Sequence, residues 1–222
     1  MNVVLVDDHR IVRDGLRSLF EREGFTVVGD GGTGREGLAL SRELRPDLVI
    51  MDVTMPDLNG IDATAQILAA VPGAKVVGLS MNGDRKFVAG MFAAGASGYL
   101  LKTCSAEELL LAVREVISGR KYVSPSVTSV VVEGLVESFA SSAVPSRPTP
   151  REFPAVKALS AREREVLQLL AEGRTSKSIA ATLNVAVTTV ETHRRQLMDK
   201  LGLHSVAELT KFAIREGLTS LD

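Results

Sequence analysis

VIMDVTMPDLNGID, residues 49–62, decides the fold. Its apolar run, led in by Leu48, stops at Asp52. Met55-Pro56 and Asn59-Gly60 then make a loop and a turn into a helical pattern over 59–71. A short Val/Leu/Ile run that ends on an acid and a turn reads as a strand buried on both faces, the kind found in parallel sheets. Four more such runs stand to either side: Val3–Val6, Phe25–Gly29, Lys75–Leu79 and Gly98–Leu101. Amphipathic stretches at about 9–23, 34–44, 84–94 and 105–118 separate them, the last opened by Ser105 and Glu108 as a capping box. Five strand–helix pairs in strict alternation predict an open, doubly wound α/β domain over residues 1–121.

Parallel strands end on one edge of their sheet, where ligands and chemistry gather. Asp7 and Asp8 follow the first strand, Asp52 ends the third, Ser80 the fourth, and Lys102 follows the fifth. Any one of them alone would be an ordinary strand end or a solvated charge. Together they converge. Three carboxylates at close range repel unless a hard cation joins them, and Mg²⁺ with oxygen ligands is the natural choice. An aspartate can attack phosphorus to form an aspartyl phosphate, with the lysine and the cation neutralising the phosphoryl oxygens and a hydroxyl donating to one of them. His9 helps to begin the first helix and is given no chemistry. Cys104, the only cysteine, reads as inert and excludes an intrachain disulfide.

VLVDDH (4–9), VIMDVTMPDLNGID (49–62), VVGLS (76–80) and GASGYLLK (95–102) resemble the response-regulator receiver family over essentially all of residues 1–121. The resemblance implies a flavodoxin-like fold with Asp52 as phosphoacceptor. It implies Asp8, Asp52 and the Thr54 carbonyl as direct Mg²⁺ ligands, and Asp7 as a ligand through water. Ser80 would be the switch hydroxyl, Lys102 the phosphoryl partner, and Tyr99 the aromatic that rotates on activation. Thr103 stands where many receivers have Pro, and Ser80 where Thr is commoner. The closest enzyme reading, an aspartyl-phosphate phosphatase of the haloacid-dehalogenase type, needs a second Asp two residues after the nucleophile. Position 54 is Thr.

Residues 122–156 read as a linker, partly helical (126–137 is ambiguous) and then flexible from Ser138, where SFASSAVPSRPTPREFP is too rich in Ser and Pro to pack. Four helical segments follow in 157–222. Ser160 with Glu163 makes a capping box, Gly173 ends the first helix, and Thr175 caps a short second one closed by Asn184. The third runs from about Val187 to Leu201, Gly202 stops it, and Ser205 with Glu208 caps the fourth. Short helices joined by a tight turn are the helix-turn-helix layout. On a helical wheel Val190, Leu197 and Leu201 share one arc, while Thr188, Thr192, Arg195 and Asp199 lie opposite with Glu191 on the flank. Arginine pairs with guanine and glutamate accepts from cytosine, so this face suits base-edge readout. Arg174, Lys177, Arg194 and Lys200 are the phosphate neighbours. Glu163 and Arg194 both fall near buried arcs, which predicts that they pair.

LSAREREVLQLLAEGRTSKSIAATLNVAVTTVETHRRQLMDKLGL (159–203) is similar to the DNA-binding domain of the LuxR/NarL group of response regulators. The resemblance implies a helix-turn-helix at 179–198, recognition by the third helix, dimerisation through the fourth, and homodimers on double-stranded DNA. It also implies a sensor histidine kinase as phosphodonor. Ala186 stands where Ser or Thr often caps the recognition helix, so Thr188 is the alternative cap. Formal net charge is −1, but residues 1–121 carry 14 basic against 16 acidic side chains and residues 157–222 carry 10 against 8. The asymmetry has the sign of an acidic site in front and a nucleic-acid reader behind. No apolar run reaches membrane-spanning length and the start lacks a signal-peptide pattern, so the expected location is the cytoplasm.

Overall fold

The computed structural model describes residues 1–128 and 159–219, which fall into two compact units. In the first, β1 (Asn2–Val6), β2 (Thr26–Gly31), β3 (Leu48–Asp52), β4 (Lys75–Ser80), β5 (Gly98–Leu101) and β6 (Tyr122–Val123) alternate with five helices. These are α1 (Arg10–Arg22), α2 (Gly34–Leu44), α3 (Gly60–Ala70), α4 (Arg85–Ala93) and α5 (Ala106–Ile117). All strand pairs are parallel, in the order β2-β1-β3-β4-β5-β6. The order reverses between β1 and β3, which places the switch-point crevice beside the ends of those two strands.

Alternation along the strands builds two cores. Val3, Leu5, Leu48, Ile50, Val77, Leu79 and Leu100 pack with Phe20 of α1 and Leu109, Val113 and Val116 of α5. Val4, Val49, Met51 and Val76 are equally buried from the opposite side of the pleat. A sheet covered on both faces explains why its strands read as unbroken apolar runs.

Two features differ from expectation. The stretch read as linker opens with a sixth strand, whose Tyr122 and Val123 pair with Gly98 and Tyr99. At α5, Ser105 accepts from the Glu108 backbone N–H, but the Glu108 carboxylate accepts from the Ser124 hydroxyl at 2.6 Å. Only half of the expected capping box therefore forms, and the other half ties the chain beyond β6 to α5. The flexible stretch expected at 138–154 lies outside the described residues.

The second unit holds α6 (Ala161–Ala171), α7 (Ser176–Leu183), α8 (Val187–Leu201) and α9 (Val206–Glu216). Ser160 with Glu163 and Ser205 with Glu208 form complete capping boxes, and Thr175 caps α7. Asn184 and Gly202 end α7 and α8 in the left-handed region, at φ 52° and 63°. Leu167 and Leu169, Ile179, Val190 and Leu197, and Leu209 and Phe212 bring all four helices to one core. α8 starts at Ala186 with no side-chain cap, and Thr188 lies inside the helix rather than capping it.

Candidate functional site

The register of the sheet assembles the crevice. β1 pairs with β3 through Val6 and Met51, so Asp7 and Asp52 emerge side by side. Asp52 stands opposite Leu79, and the Lys102 backbone N–H donates to the Ser80 carbonyl at 2.8 Å. Asp7, Asp52 and Ser80 are buried, at 1%, 4% and 1% exposure. The Lys102 ammonium lies 2.7 Å from Oδ2 of Asp7 and 2.7 Å from Oδ2 of Asp52. Oδ1 of Asp52 accepts from the Thr54 backbone N–H at 3.3 Å, and Oδ1 of Asp7 from that of His9 at 2.9 Å. Asp8 is the more open acid. Ligating atoms of Asp7, Asp8, His9 and Asp52 all lie within 4.8 Å of one another. A cluster of carboxylate oxygens at this spacing fits a small hard cation.

Burial pushes the Asp52 carboxyl up to about 6, with the Asp7 charge adding to it, against the opposing pull of Lys102 and the Thr54 N–H. Burial works against the Lys102 ammonium too, but its two carboxylate partners prevail and hold it above its ordinary value. A carboxyl whose pKa rises from 3.8 to about 6 on folding favours the native state below pH 3.8 and loses that contribution as pH rises through 6. Metal-free Asp52→Asn should therefore be more stable than wild type at pH 7.5, by about 1–3 kcal/mol, and equal to it near pH 4. Urea unfolding in EDTA at the two pH values tests this. A gap of the same size at both would assign the effect to packing.

Ser80, Asn82 and Tyr99 form a chain at the rim. The Asn82 N–H donates to the Ser80 hydroxyl at 3.0 Å, and the fully buried Tyr99 donates its hydroxyl to the Asn82 carbonyl at 2.6 Å. Burial raises the Tyr99 phenol to about 12, so it is a donor throughout the ordinary pH range. Gly60 closes the other side. A Cβ there would lie 1.9 Å from the Asp52 carbonyl oxygen, and the Gly60 N–H donates to the Val53 carbonyl at 2.9 Å. Only glycine lets the loop return this close to Asp52.

On α8, Val190 and Leu197 are buried while Thr188, Glu191, Thr192 and Arg195 are exposed, as is Lys177 on α7. The Thr192 hydroxyl donates to the Thr188 carbonyl at 2.9 Å, and Glu191 accepts from the Ser176 hydroxyl, which joins α7 to α8. Arg194 is half-buried and 3.9 Å from Glu191.

The response regulator receiver domain model matches residues 3–114, and that of the bacterial regulatory proteins of the luxR family matches residues 157–213. The chain belongs to the LuxR-type response regulators. Among its relatives, MctR of Rhizobium johnstonii is 35% identical, covering 99% of this chain and 96% of its own. GacA of Pseudomonas aeruginosa is 35% identical (98% and 97%), and the oxygen regulatory protein NreC of Staphylococcus epidermidis 37% (98% and 99%). A LuxR-family response regulator from Aurantimonas has a solved structure that is 38% identical with TM-score 0.58, covering 61% of this chain and 97% of its own. RcsB in its DNA complex is 26% identical with TM-score 0.55, covering 96% of each chain.

Response regulators of these families are transcriptional regulators and not enzymes, which sets the phosphatase reading aside. The structure of this response regulator brings Asp7, Asp8, Asp52, Ser80 and Lys102 to one crevice, with Tyr99 behind Ser80. Asn82 is the member that sequence reasoning missed; a polar residue in the turn-like MNGD stretch after Ser80 was its only signal. The expected Glu163–Arg194 pair is not found. Glu163 instead accepts from the Lys200 ammonium at 2.7 and 2.9 Å. This ties Lys200, whose side chain is 46% exposed, to the rim of the domain's own core. No described helix is long and apolar enough to cross a membrane.

Proposed function

We propose that this response regulator accepts a phosphoryl group on Asp52 from a sensor histidine kinase, and that the modified form binds double-stranded DNA as a homodimer in the cytoplasm. The observation that carries this reading is the junction of Asp7, Asp8, Asp52 and Lys102 at the strand ends. One carboxylate oxygen of Asp52 attacks phosphorus, the bond from phosphorus to the donor imidazole breaks, and the imidazole leaves with its electron pair. Asp8, Asp52 and the Thr54 carbonyl would hold Mg²⁺ directly and Asp7 through water; the bound ion offsets charge on the phosphoryl oxygens. Lys102 exchanges its contact with Asp52 for one with a phosphoryl oxygen. The Ser80 hydroxyl turns to donate to another, and its bond from Asn82 is then remade. Because Tyr99 is held by that same Asn82, replacing the single carboxylate charge of Asp52 by a phosphoryl group of roughly −1.5 to −2 biases a loop and a buried aromatic together.

On the second domain, Thr188, Glu191, Thr192 and Arg195 are the proposed base-reading set, and Lys177 and Arg194 are proposed to sit at phosphate. The test is a titration of selected cognate and scrambled duplexes, with and without a small phosphodonor and Mg²⁺, alongside mass measurement in solution. Phosphorylation should tighten cognate binding by about 5–150-fold, the range of ordinary allosteric coupling, and raise the dimer fraction. Unchanged affinity and mass would favour a receiver that is a fixed dimerisation module. In the same assay Arg195→Ala should lose roughly 1–3 kcal/mol on the cognate duplex and relax preference at one base position. Lys177→Ala should weaken both duplexes alike and lower the salt slope by about one contact. Equal losses on both duplexes for Arg195→Ala would make it a phosphate contact.

A further inference from the structure

We infer that His9 is a nitrogen ligand of the crevice and gives it a preference for first-row transition-metal ions over Mg²⁺. The inference rests on the reading of Asp7, Asp8 and Asp52 as a cation site. His9 is the residue in that cluster with no part in the phosphoryl chemistry, and it is not there by chance of a floppy side chain. Its backbone is pinned at both ends: the N–H donates to Oδ1 of Asp7, and the carbonyl accepts from Val12 and Arg13 at 3.0 and 3.2 Å as α1 begins. The ring hangs from this fixed point over the acids. Its Nδ1 lies 2.6 Å from Oδ1 of Asp8 and 3.3 Å from Oδ1 of Asp7.

Those two separations bracket what one ion requires. Donors at right angles around a cation with bonds of about 2.1 Å stand about 3.0 Å apart. The His9 side chain is also 67% exposed. Little burial therefore opposes its turning a lone pair toward an ion already held by the carboxylates. Imidazole does little for Mg²⁺, a hard ion that keeps oxygen ligands and waters. It adds modestly for Mn²⁺ and more for Fe²⁺, Co²⁺ and Ni²⁺ in rising order, and it suits Zn²⁺ as well. An all-oxygen pocket would be a magnesium site. Adding His9 makes it a mixed oxygen and nitrogen site, one that takes a transition ion whenever such an ion is free.

The probe is Mn²⁺, whose unbound form gives a sharp paramagnetic resonance spectrum, used with the full-length protein. Pulsed measurements on the bound ion should show coupling to a nitrogen nucleus that vanishes in His9→Ala and survives in His193→Ala. Displacement of bound Mn²⁺ by Ni²⁺ should require at least about tenfold more Ni²⁺ in His9→Ala than in wild type, because the lost ligand matters more to Ni²⁺ than to Mn²⁺. Displacement by Mg²⁺ should require less Mg²⁺ than in wild type, because that ligand matters to Mn²⁺ and little to Mg²⁺. His9→Asn, which keeps size and polarity without a ligating imidazole, should behave as His9→Ala. Bound Mn²⁺ with no nitrogen coupling, or equal Ni²⁺ displacement in wild type and His9→Ala, overturns the role of His9 and leaves the acidic site standing. Failure of wild type to bind Mn²⁺, or equal binding by Asp8→Asn and Asp52→Asn, overturns the acidic site and the inference with it.

Discussion

Asp52→Asn should take up no phosphoryl group from a small acyl phosphate in Mg²⁺, where wild type takes up one per chain. Of the three acids, Asp52 alone combines burial with a position between the lysine and the returning loop. Its Oδ2 faces Lys102 at 2.7 Å, and its Oδ1 is held by the Thr54 N–H. Asp7 is buried as well, but it shares the same ammonium and lies behind the His9 backbone N–H. Asparagine fits the space and keeps the hydrogen bond from Thr54, so the fold around it stays while the nucleophile, the charge facing Lys102 and a proposed cation ligand are lost together. Chelation of divalent ions should stop the reaction in wild type, because the acids that remain repel the donor. Lys102→Met should slow it by roughly 10²–10³-fold, the usual cost of deleting one preorganised donor to a developing oxyanion. Intact-protein mass and phosphate release at alkaline pH read all three. Labelling of Asp52→Asn at the wild-type level would move the acceptor to another carboxylate and overturn the proposed chemistry.

The crevice was legible in the sequence because two simple rules suffice to find it. Apolar runs mark buried parallel strands, and parallel strands share an edge; residues 7, 52, 80 and 102 then have to meet. What the sequence hid was whatever depends on two or three residues, or on the hand of a packing arrangement. β6 is only two residues long and has no period to detect. Glu108 had a local backbone partner in prospect, yet its carboxylate goes to Ser124, sixteen positions on. The Glu163 partner was missed for a geometric reason. Arg194 and Lys200 stand three residues to either side of Leu197, and at 100° per residue the arc of Val190, Leu197 and Leu201 reaches to about 20° from Arg194 but only to about 60° from Lys200. A wheel therefore favours Arg194. The way α6 crosses α8 overrides it and chose Lys200.

Glu163→Ala should cost the second domain about 2–4 kcal/mol, lowering its melting transition by some 10–20 °C. Two interactions end on this one carboxylate. It completes the capping box by accepting from the Ser160 N–H at 2.8 Å, a bond worth about 1 kcal/mol at a helix start, and it holds Lys200. Its side chain is 4% exposed and that of Lys200 46%, so solvent on the cation's side screens the pair and keeps it below the cost of a fully buried one. Burial opposes the Glu163 charge, but Lys200 and the Ser160 groups outweigh it and hold the carboxyl below 4.5. The stabilisation is therefore present above pH 4.5 and fades as pH falls through the lower folded value. Calorimetry of the full chain between pH 3.5 and 7.5 should show the gap between wild type and Glu163→Gln closing at the acid end. Arg194→Ala should stay within about 0.5 kcal/mol of wild type, since its contact with Glu191 is long and exposed. Lys200→Ala should lower the melting transition and weaken DNA binding only as far as folding fails. If Lys200→Ala melts with wild type but loses affinity for cognate and scrambled duplexes alike, its ammonium belongs to the DNA backbone, and Glu163 stands on its capping role alone.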